Sequence, residues 1–414
     1  MNDDPGALPA ETSLSSGLGG AVDGSAEIGP QAGAGPYSRT VPAPWLDEAC
    51  EQPDSPGADG RPRNILFVAW RDLANRLAGG SEVLVDQLAT GILARGDRVT
   101  LLCGGPSAAH SYGVVRSGGP YSQFLGAPFA YRRHLRDCDV VVEVCNGMPF
   151  LAPLWSRKPM ICMVNHVHTD LWPLRFRPPL CTAGRFLEQR AMPWAHRGNL
   201  VLTVSASTAR ELEALGVPRE RIRMLTNGTA PAGPPAPRSA EPLFLALGRL
   251  AEYKRIDLLL RLWDRVRPVV GGRLVIAGDG PQRAYLESLA GPGVTFAGRV
   301  SEEEKHRLLA AAWLLLHPAQ IEGWGIVVTE AAIRGTPAVG FDVPGLRDSV
   351  EHGRTGVLAR SEAEFASSWA ALALDPPRRA ALGEAARSRA ARLRWSTAVR
   401  HFAAVIDEAV DEAR

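Results

Sequence analysis

From Asn64 onward the chain alternates between short apolar runs and amphipathic stretches. "NILFVAW" (64–70), "RVTLLCG" (98–104), "DVVVEVCNG" (139–147), "PMICMVNH" (159–166) and "NLVLTVSAS" (199–207) are largely apolar. Runs of this kind are buried on both faces, unlike the alternating strands of a sheet with one wet side. Between the first two, Val85, Leu88, Ala89 and Ile92 fall on one helical face, and Gly96 stands where the helix should stop. A second series begins at "LFLALG" (243–248) and continues through "RLVIAG" (273–278), "VTFAG" (294–298), "WLLLHP" (313–318) and "PAVGF" (337–341). Helices are expected from about Ile256, from Ser301, and over 361–412 at the end of the chain. This alternation predicts parallel sheets covered by helices on both faces.

The two series are separated by "GTAPAGPPAPRSAEP" (228–242), a run of turn-forming residues. The expected organisation is therefore α/β: two doubly wound, Rossmann-like domains facing a cleft. Residues 61–228 form the first domain, 229–242 the linker, and 243–395 the second domain. Residues 396–414 form a last helix returning toward the first domain. Residues 1–60 are rich in Gly, Pro, Ser and Ala, without hydrophobic periodicity, and predict a disordered acidic tail.

Charge sharpens this division. The tail holds ten acids against one base, Arg39, so the overall net charge of +2 leaves +11 on residues 61–414. A moderately basic body suits anionic ligands, and no nucleic-acid-binding signature is present. The six cysteines show neither CxxC nor His-paired spacing and read as reduced thiols of a cytoplasmic protein. No secretory signal is evident in the acidic N-terminal segment, and no apolar stretch is long enough to span a bilayer.

Ligands of such sheets lie beyond the carboxyl ends of the strands, so the residues just past each run are the candidates for chemistry. "LFLALG" is followed by Arg249 and then Lys254, a guanidinium fork and a compact ammonium suited to a diphosphate. Gly79-Gly80-Ser81 opens a helix and exposes N–H groups where the helix dipole favours an anion. "PMICMVN" ends in His166 and His168. "WLLLHP" leads into "QIEGWGIVVTEA" (320–331), with Glu322 in the loop and Glu330 in the second helical turn; both carboxylates suit the hydroxyls of sugar and ribose rings. A glycosidase pair is the competing reading of two such acids. Asp137-Cys138-Asp139 has the spacing of a metal-binding DxD but precedes its strand, at the end away from the cleft, so no metal is expected there. A pyridoxal lysine is not evident among Lys158, Lys254 and Lys305. Over 171–200, Trp172, Phe176, Phe186 and Trp194 interleave with Arg175, Arg177, Arg185, Arg190 and Arg197 against a lone Glu188. That pattern fits either a packed helix with a solvated face or peripheral contact with an anionic membrane.

Glu322-x7-Glu330 with its Gly-Trp-Gly, "GRLAEYKR", "IAGDGP", "FAGRVS", "AGGSE" and "TVSASTARELEALGVPRERIRMLTNGT" (203–229) together resemble the retaining GT-B glycosyltransferases of the GT4 class. The resemblance covers roughly residues 64–400. It implies that Arg249 and Lys254 bind the diphosphate of a nucleotide sugar and that Glu330 takes the ribose. Glu322 would take hydroxyls of the transferred sugar, aided by backbone N–H groups from Gly323 through Trp324, Gly325 and Ile326 to Val327. Gly79 and Gly80 would close on the phosphates, and Arg299 and Val300 would lie by the base. His166 would stand near the transferred sugar or the acceptor, with His168 an equal candidate. The implied activity is metal-independent, cofactor-free transfer of a hexose from a UDP- or GDP-linked donor. The acceptor is open among a cell-envelope glycolipid, a polysaccharide and a small metabolite. A sugar-nucleotide epimerase and a non-catalytic sugar-nucleotide sensor are the alternative functions.

Overall fold

The computed structural model describes residues 61–414 except 76–77, 107–108, 120 and 234–235; the acidic segment 1–60 lies outside the described residues. The first sheet has seven strands: β1 (Asn64–Val68), β2 (Arg98–Cys103), β3 (Gly113–Arg116), β4 (Val140–Val144), β5 (Met160–Val164), β6 (Leu200–Thr203) and β7 (Ile222–Met224). The second has six: β8 (Leu243–Leu247), β9 (Arg273–Ala277), β10 (Val294–Gly298), β11 (Leu314–His317), β12 (Ala338–Phe341) and β13 (Gly356–Ala359). Their orders are β3-β2-β1-β4-β5-β6-β7 and β10-β9-β8-β11-β12-β13, and every pairing is parallel. Parallel neighbours need crossovers, which is why the apolar runs alternate with helices. In each sheet the strand order reverses beside the first strand, at β1/β4 and at β8/β11, the positions where a crevice opens at the carboxyl edge.

On one face of the first sheet, Ile65, Phe67, Leu101, Val142, Ile161 and Met163 join Leu88 and Ile92 of the helix Gly80–Ala94 in one core. The closing helix Trp395–Asp411 contributes Phe402 and Ile406 to that same core, with the Phe402 ring 5.7 Å from Phe67. Ion pairs from Arg63 to Asp407 and from Arg223 to Glu408 fasten it further. The chain therefore crosses between the sheets twice. Thr229, in the first crossing, donates its backbone N–H to the Leu393 carbonyl of the second at 2.8 Å. The opposite face is covered by segments at 123–135, 180–195 and 206–214, which bury Leu66, Val68, Cys162 and Val164. In the second sheet, Phe244, Leu274 and Leu314 pack on helices Ile256–Val270 and Glu362–Leu374, whose Trp263 and Trp369 rings stack 5.5 Å apart.

Three strands fall outside the apolar runs read from sequence. β3 and β7 are short and only partly buried, so neither carries the continuous apolar signal. β13 is buried but has only four residues, "GVLA". Asp139 sits at the amino end of β4, where its carboxylate accepts the Asn64 N–H at 2.7 Å, tying β4 to β1.

A buried ionic cluster steadies the loop after β2. His110 reaches Asp72 at 3.1 Å and Asp86 at 3.2 Å, stacks on Tyr112, and Tyr112 donates to Asp86 at 2.8 Å. Burial alone would lower the His110 pKa, but the two carboxylates raise it from 6.5 to about 9. A histidine whose folded value exceeds its unfolded one contributes stability that is complete below about pH 6.5 and is lost as pH rises through about 9. The urea midpoint should therefore fall across that window, and His110→Gln should flatten the fall; equal slopes for both proteins would contradict this assignment.

Candidate functional site

The carboxyl edges of the two sheets face each other across a cleft of about 400 Å³. Arg249 leaves β8 at its carboxyl end, and Lys254 follows in a single tight turn, Glu252–Lys254. Glu322 leaves β11 beside it, across the switch point of the sheet. The Lys254 ammonium lies 2.6 Å from Glu322 Oε2, and His317 Nε2 lies 2.9 Å from the same oxygen. A carboxylate only accepts, so His317 donates through Nε2. Burial alone would raise the Glu322 pKa, but Lys254 and His317 hold it well below the usual carboxylate range. Burial would likewise lower Lys254, yet Glu322 keeps it above its ordinary value. His317 is pushed down, chiefly by burial, and stays neutral. Both contacts land on Oε2, which leaves Oε1 with no protein partner among the described residues.

Glycines shape the loop after Glu322. Gly325 has φ +82°, a left-handed conformation that favours glycine, and it starts the helix Ile326–Ala332. At Gly323 a Cβ would come within 2.5 Å of the Asn165 carbonyl oxygen, so the second domain touches the end of β5 here. Trp324 is buried in the core of the first domain, its indole N–H without a partner among the described residues. Its side chain is thus an anchor between domains, and only its backbone remains for a ligand. Glu330, one turn into the helix, pairs with Lys305 at 2.7 Å. Lys305 also meets Glu302 at 2.7 Å, and these acids hold its pKa up against burial.

From the first domain, Gly79 precedes the helix Gly80–Ala94. Its N–H donates to Glu82 Oε2 at 2.7 Å, while Glu82 Oε1 accepts Arg71 Nε at 2.8 Å. A Cβ on Gly79 would sit 2.9 Å from an Arg249 terminal nitrogen, and one on Gly80 would sit 3.2 Å from the Ile326 side chain. Arg249 and the glycine pair therefore meet across the cleft. Burial, with Arg71 and Arg175 adding repulsion, pushes the Arg249 pKa below its ordinary value. His166 and His168 stack with ring centroids 4.0 Å apart. Burial and mutual proximity push His166 far down; burial and the charge of Arg175 bring His168 to about 4. Both are neutral at pH 7.

The structure brings Gly79, Gly80, His166, His168, Arg249 and Lys254 to one cleft, with Arg299, Val300, Glu322 and Glu330 on its second-domain wall. The backbone of Gly323 to Val327 lines it as well. Lys254 lines the cleft together with Arg249, and Lys305, given no site role from sequence, lines it as well. Two expectations need correction. Glu330 is held by Lys305, an ion pair that its apolar sequence neighbours do not suggest. Glu188 is no solvated counter-charge: it is buried, accepting the His168 N–H at 2.6 Å and the Trp172 indole at 3.1 Å. Its pKa is pushed up to about 7 by burial. Sequence reasoning also missed His317, Asn146 and Asn165. The available signal for His317 was a lone imidazole closing an otherwise apolar strand.

Two family descriptions match consecutive parts of the chain: "Glycosyltransferase Family 4" over residues 78–232 and "Glycosyl transferases group 1" over residues 234–389. A D-inositol 3-phosphate glycosyltransferase of Thermobispora bispora is 32% identical over 236 residues, 50% of this chain and 55% of that protein. A GDP-mannose-dependent alpha-(1-6)-phosphatidylinositol monomannoside mannosyltransferase of Mycobacterium tuberculosis is 33% identical over 172 residues, 38% of this chain and 45% of that protein. The chain spans about half the length of the curated relatives it matches. Among solved structures, Anabaena HepE in complex with UDP and glucose superposes with a TM-score of 0.68 at 18% identity, covering 84% of this chain and 100% of that one. Sucrose-phosphate synthase from Thermosynechococcus elongatus gives 0.72 at 18% identity, covering 84% and 98%. With both domains matched in order and the two-sheet fold shared, the chain belongs to the GT4 family of GT-B glycosyltransferases.

Proposed function

We propose that the protein transfers a hexose from a UDP- or GDP-linked donor to a hydroxyl of its acceptor, with retention at the anomeric carbon and without a metal. The observation that carries this reading is the convergence of Arg249, Lys254, Glu322 and Glu330 on one cleft opposite the Gly79-Gly80 turn. Breaking the anomeric C–O bond leaves a diphosphate whose negative charge grows, and fixed cations are the strongest available stabiliser. Arg249 and Lys254 fill that role. Glu322 Oε1 accepts hydroxyls of the transferred sugar, while Glu330 accepts those of the ribose. In the same-face route the leaving phosphate oxygen takes the acceptor proton. The neutral imidazoles of His166 and His168 then serve as positioning groups near the acceptor.

Contact with a membrane is part of this proposal. Leu125, Phe129, Leu154, Leu180, Phe186 and Trp194 are exposed, Leu125 by 78% and Phe129 by 71%. They belong to segments layered over one face of the first sheet, and Arg132, Arg133, Arg185, Arg190 and Arg197 are exposed beside them. Exposed apolar and cationic groups on one layer suit the surface of an anionic bilayer. No helix among the described residues is long and apolar enough to cross one. The supported location is cytoplasmic, peripheral on the inner membrane face.

Arg249→Ala should lower kcat by about 10²–10³-fold, or about 2.7–4 kcal/mol, with little change in donor KM. Lys254→Ala should do the same and also cut thermal stability, because it leaves Glu322 buried without its cation; a purely KM effect in either variant would contradict their role at the leaving group. Anomer analysis of the product by NMR should show retention, and turnover should persist in excess chelator; inversion, or complete loss on chelation, would overturn the corresponding part of the mechanism. In flotation assays the protein should rise with phosphatidylglycerol vesicles but not with phosphatidylcholine, and Phe129→Asp with Trp194→Asp should abolish this. Failure to float would remove the membrane from the reading.

A further inference from the structure

The first-domain wall of the cleft carries groups to which the proposed donor contacts assign no role. Asn146 ends β4 and Asn165 ends β5, and both amide nitrogens donate to the Ser81 hydroxyl, at 2.6 and 2.7 Å. Asn165 is only 7% exposed, yet its Oδ1 has no partner among the described residues. A buried amide oxygen without a donor is costly, and a ligand hydroxyl would satisfy it. His168 adds a second acceptor. Its Nδ1 lies 3.1 Å from the His166 carbonyl oxygen, so in the neutral ring the proton sits on Nδ1 and Nε2 keeps a lone pair. Two acceptors on one wall suit a hydroxylated ring or polyol.

The same wall has an unmatched positive charge. Arg71 is paired with Glu82, and the two histidines are neutral. Arg175, in the short helix Trp172–Arg175 after β5, lines the cleft and has no ion pair among the described residues. It stands close enough to Arg249 and His168 to disfavour charge on both. An exposed arginine sharing a cleft with other cations gains most from an anion placed among them, and its planar fork matches phosphate.

We infer that the acceptor is a phosphate-bearing polyol or sugar, its hydroxyls received by Asn165 Oδ1 and His168 Nε2 and its phosphate held by Arg175, with Arg71 flanking. This rests on the transferase reading, and the test separates the two. With the donor site filled by UDP or GDP, binding is measured by calorimetry for myo-inositol, myo-inositol 1-phosphate, dihexanoyl-phosphatidylinositol and dihexanoyl-phosphatidylcholine. The short-chain lipids are soluble and present a headgroup without a bilayer. The phosphate-bearing inositols should bind at least about tenfold more tightly than free inositol. Arg175→Gln should abolish that difference, with an unchanged thermal midpoint and saturation of its donor site by UDP or GDP in calorimetry showing that the variant still folds and keeps its donor site. A preference for the monophosphate identifies a soluble acceptor, and a preference for phosphatidylinositol over both the monophosphate and phosphatidylcholine identifies a lipid headgroup. Equal binding of neutral and phosphorylated inositol, or a preference that survives Arg175→Gln, overturns the inference. Loss of binding for both nucleotides in the unmodified protein would instead defeat the transferase reading beneath it.

Discussion

The ion pair between Lys254 and Glu322, 2.6 Å long and joined by His317, organises the second-domain side of the cleft. Its members come from loops after β8 and β11, which flank the point where the strand order reverses. Neither charge could be buried alone without a penalty of several kcal/mol, roughly 3–5 when one partner of such a pair is removed. Together they fix the two loops relative to each other before any ligand arrives. The same economy appears at Glu330 with Lys305 and at Glu82 with Arg71. The cleft is therefore lined by charges already oriented by one another, which is the condition under which polar groups stabilise a developing charge without reorganising.

The sequence makes this architecture legible where burial is two-sided. Nine of the ten apolar runs are central parallel strands, which have no wet face, so their composition states their place; β10 lies at a sheet edge with alternate positions exposed. β3 and β7, with exposed positions in runs of four and three residues, carry no such statement. At the site, Arg249, Glu322 and the Gly79-Gly80 turn stand just beyond strands or at helix starts, where position alone makes them visible. The links between them do not show in the same way. Lys305 and Glu330 are 25 residues apart and lie on different helices, and His317 is hidden inside an apolar run. Trp324, next to a recognisable acid, serves the packing of the other domain. Glu188 looks like a stray surface acid until the fold wraps the Trp172 segment over it.

The two walls of the cleft differ in kind. The second-domain wall is crowded with paired charges, whereas the first-domain wall sets two amides on Ser81 and two neutral imidazoles beside the Arg71–Glu82 pair and Arg175. Neutral hydrogen-bonding groups discriminate among hydroxyl patterns better than they attract charge. The segments behind the first wall also bear the exposed apolar and cationic residues.

The doubled strand of connection at Thr229 and Leu393 has a mechanical consequence. A single tether would let one half swing and twist freely about the other. Two parallel passages of the same chain, clasped by a backbone hydrogen bond, restrain such twisting more than one could. The separation of Gly79 and Arg249 across the cleft is therefore set at two chain crossings rather than one.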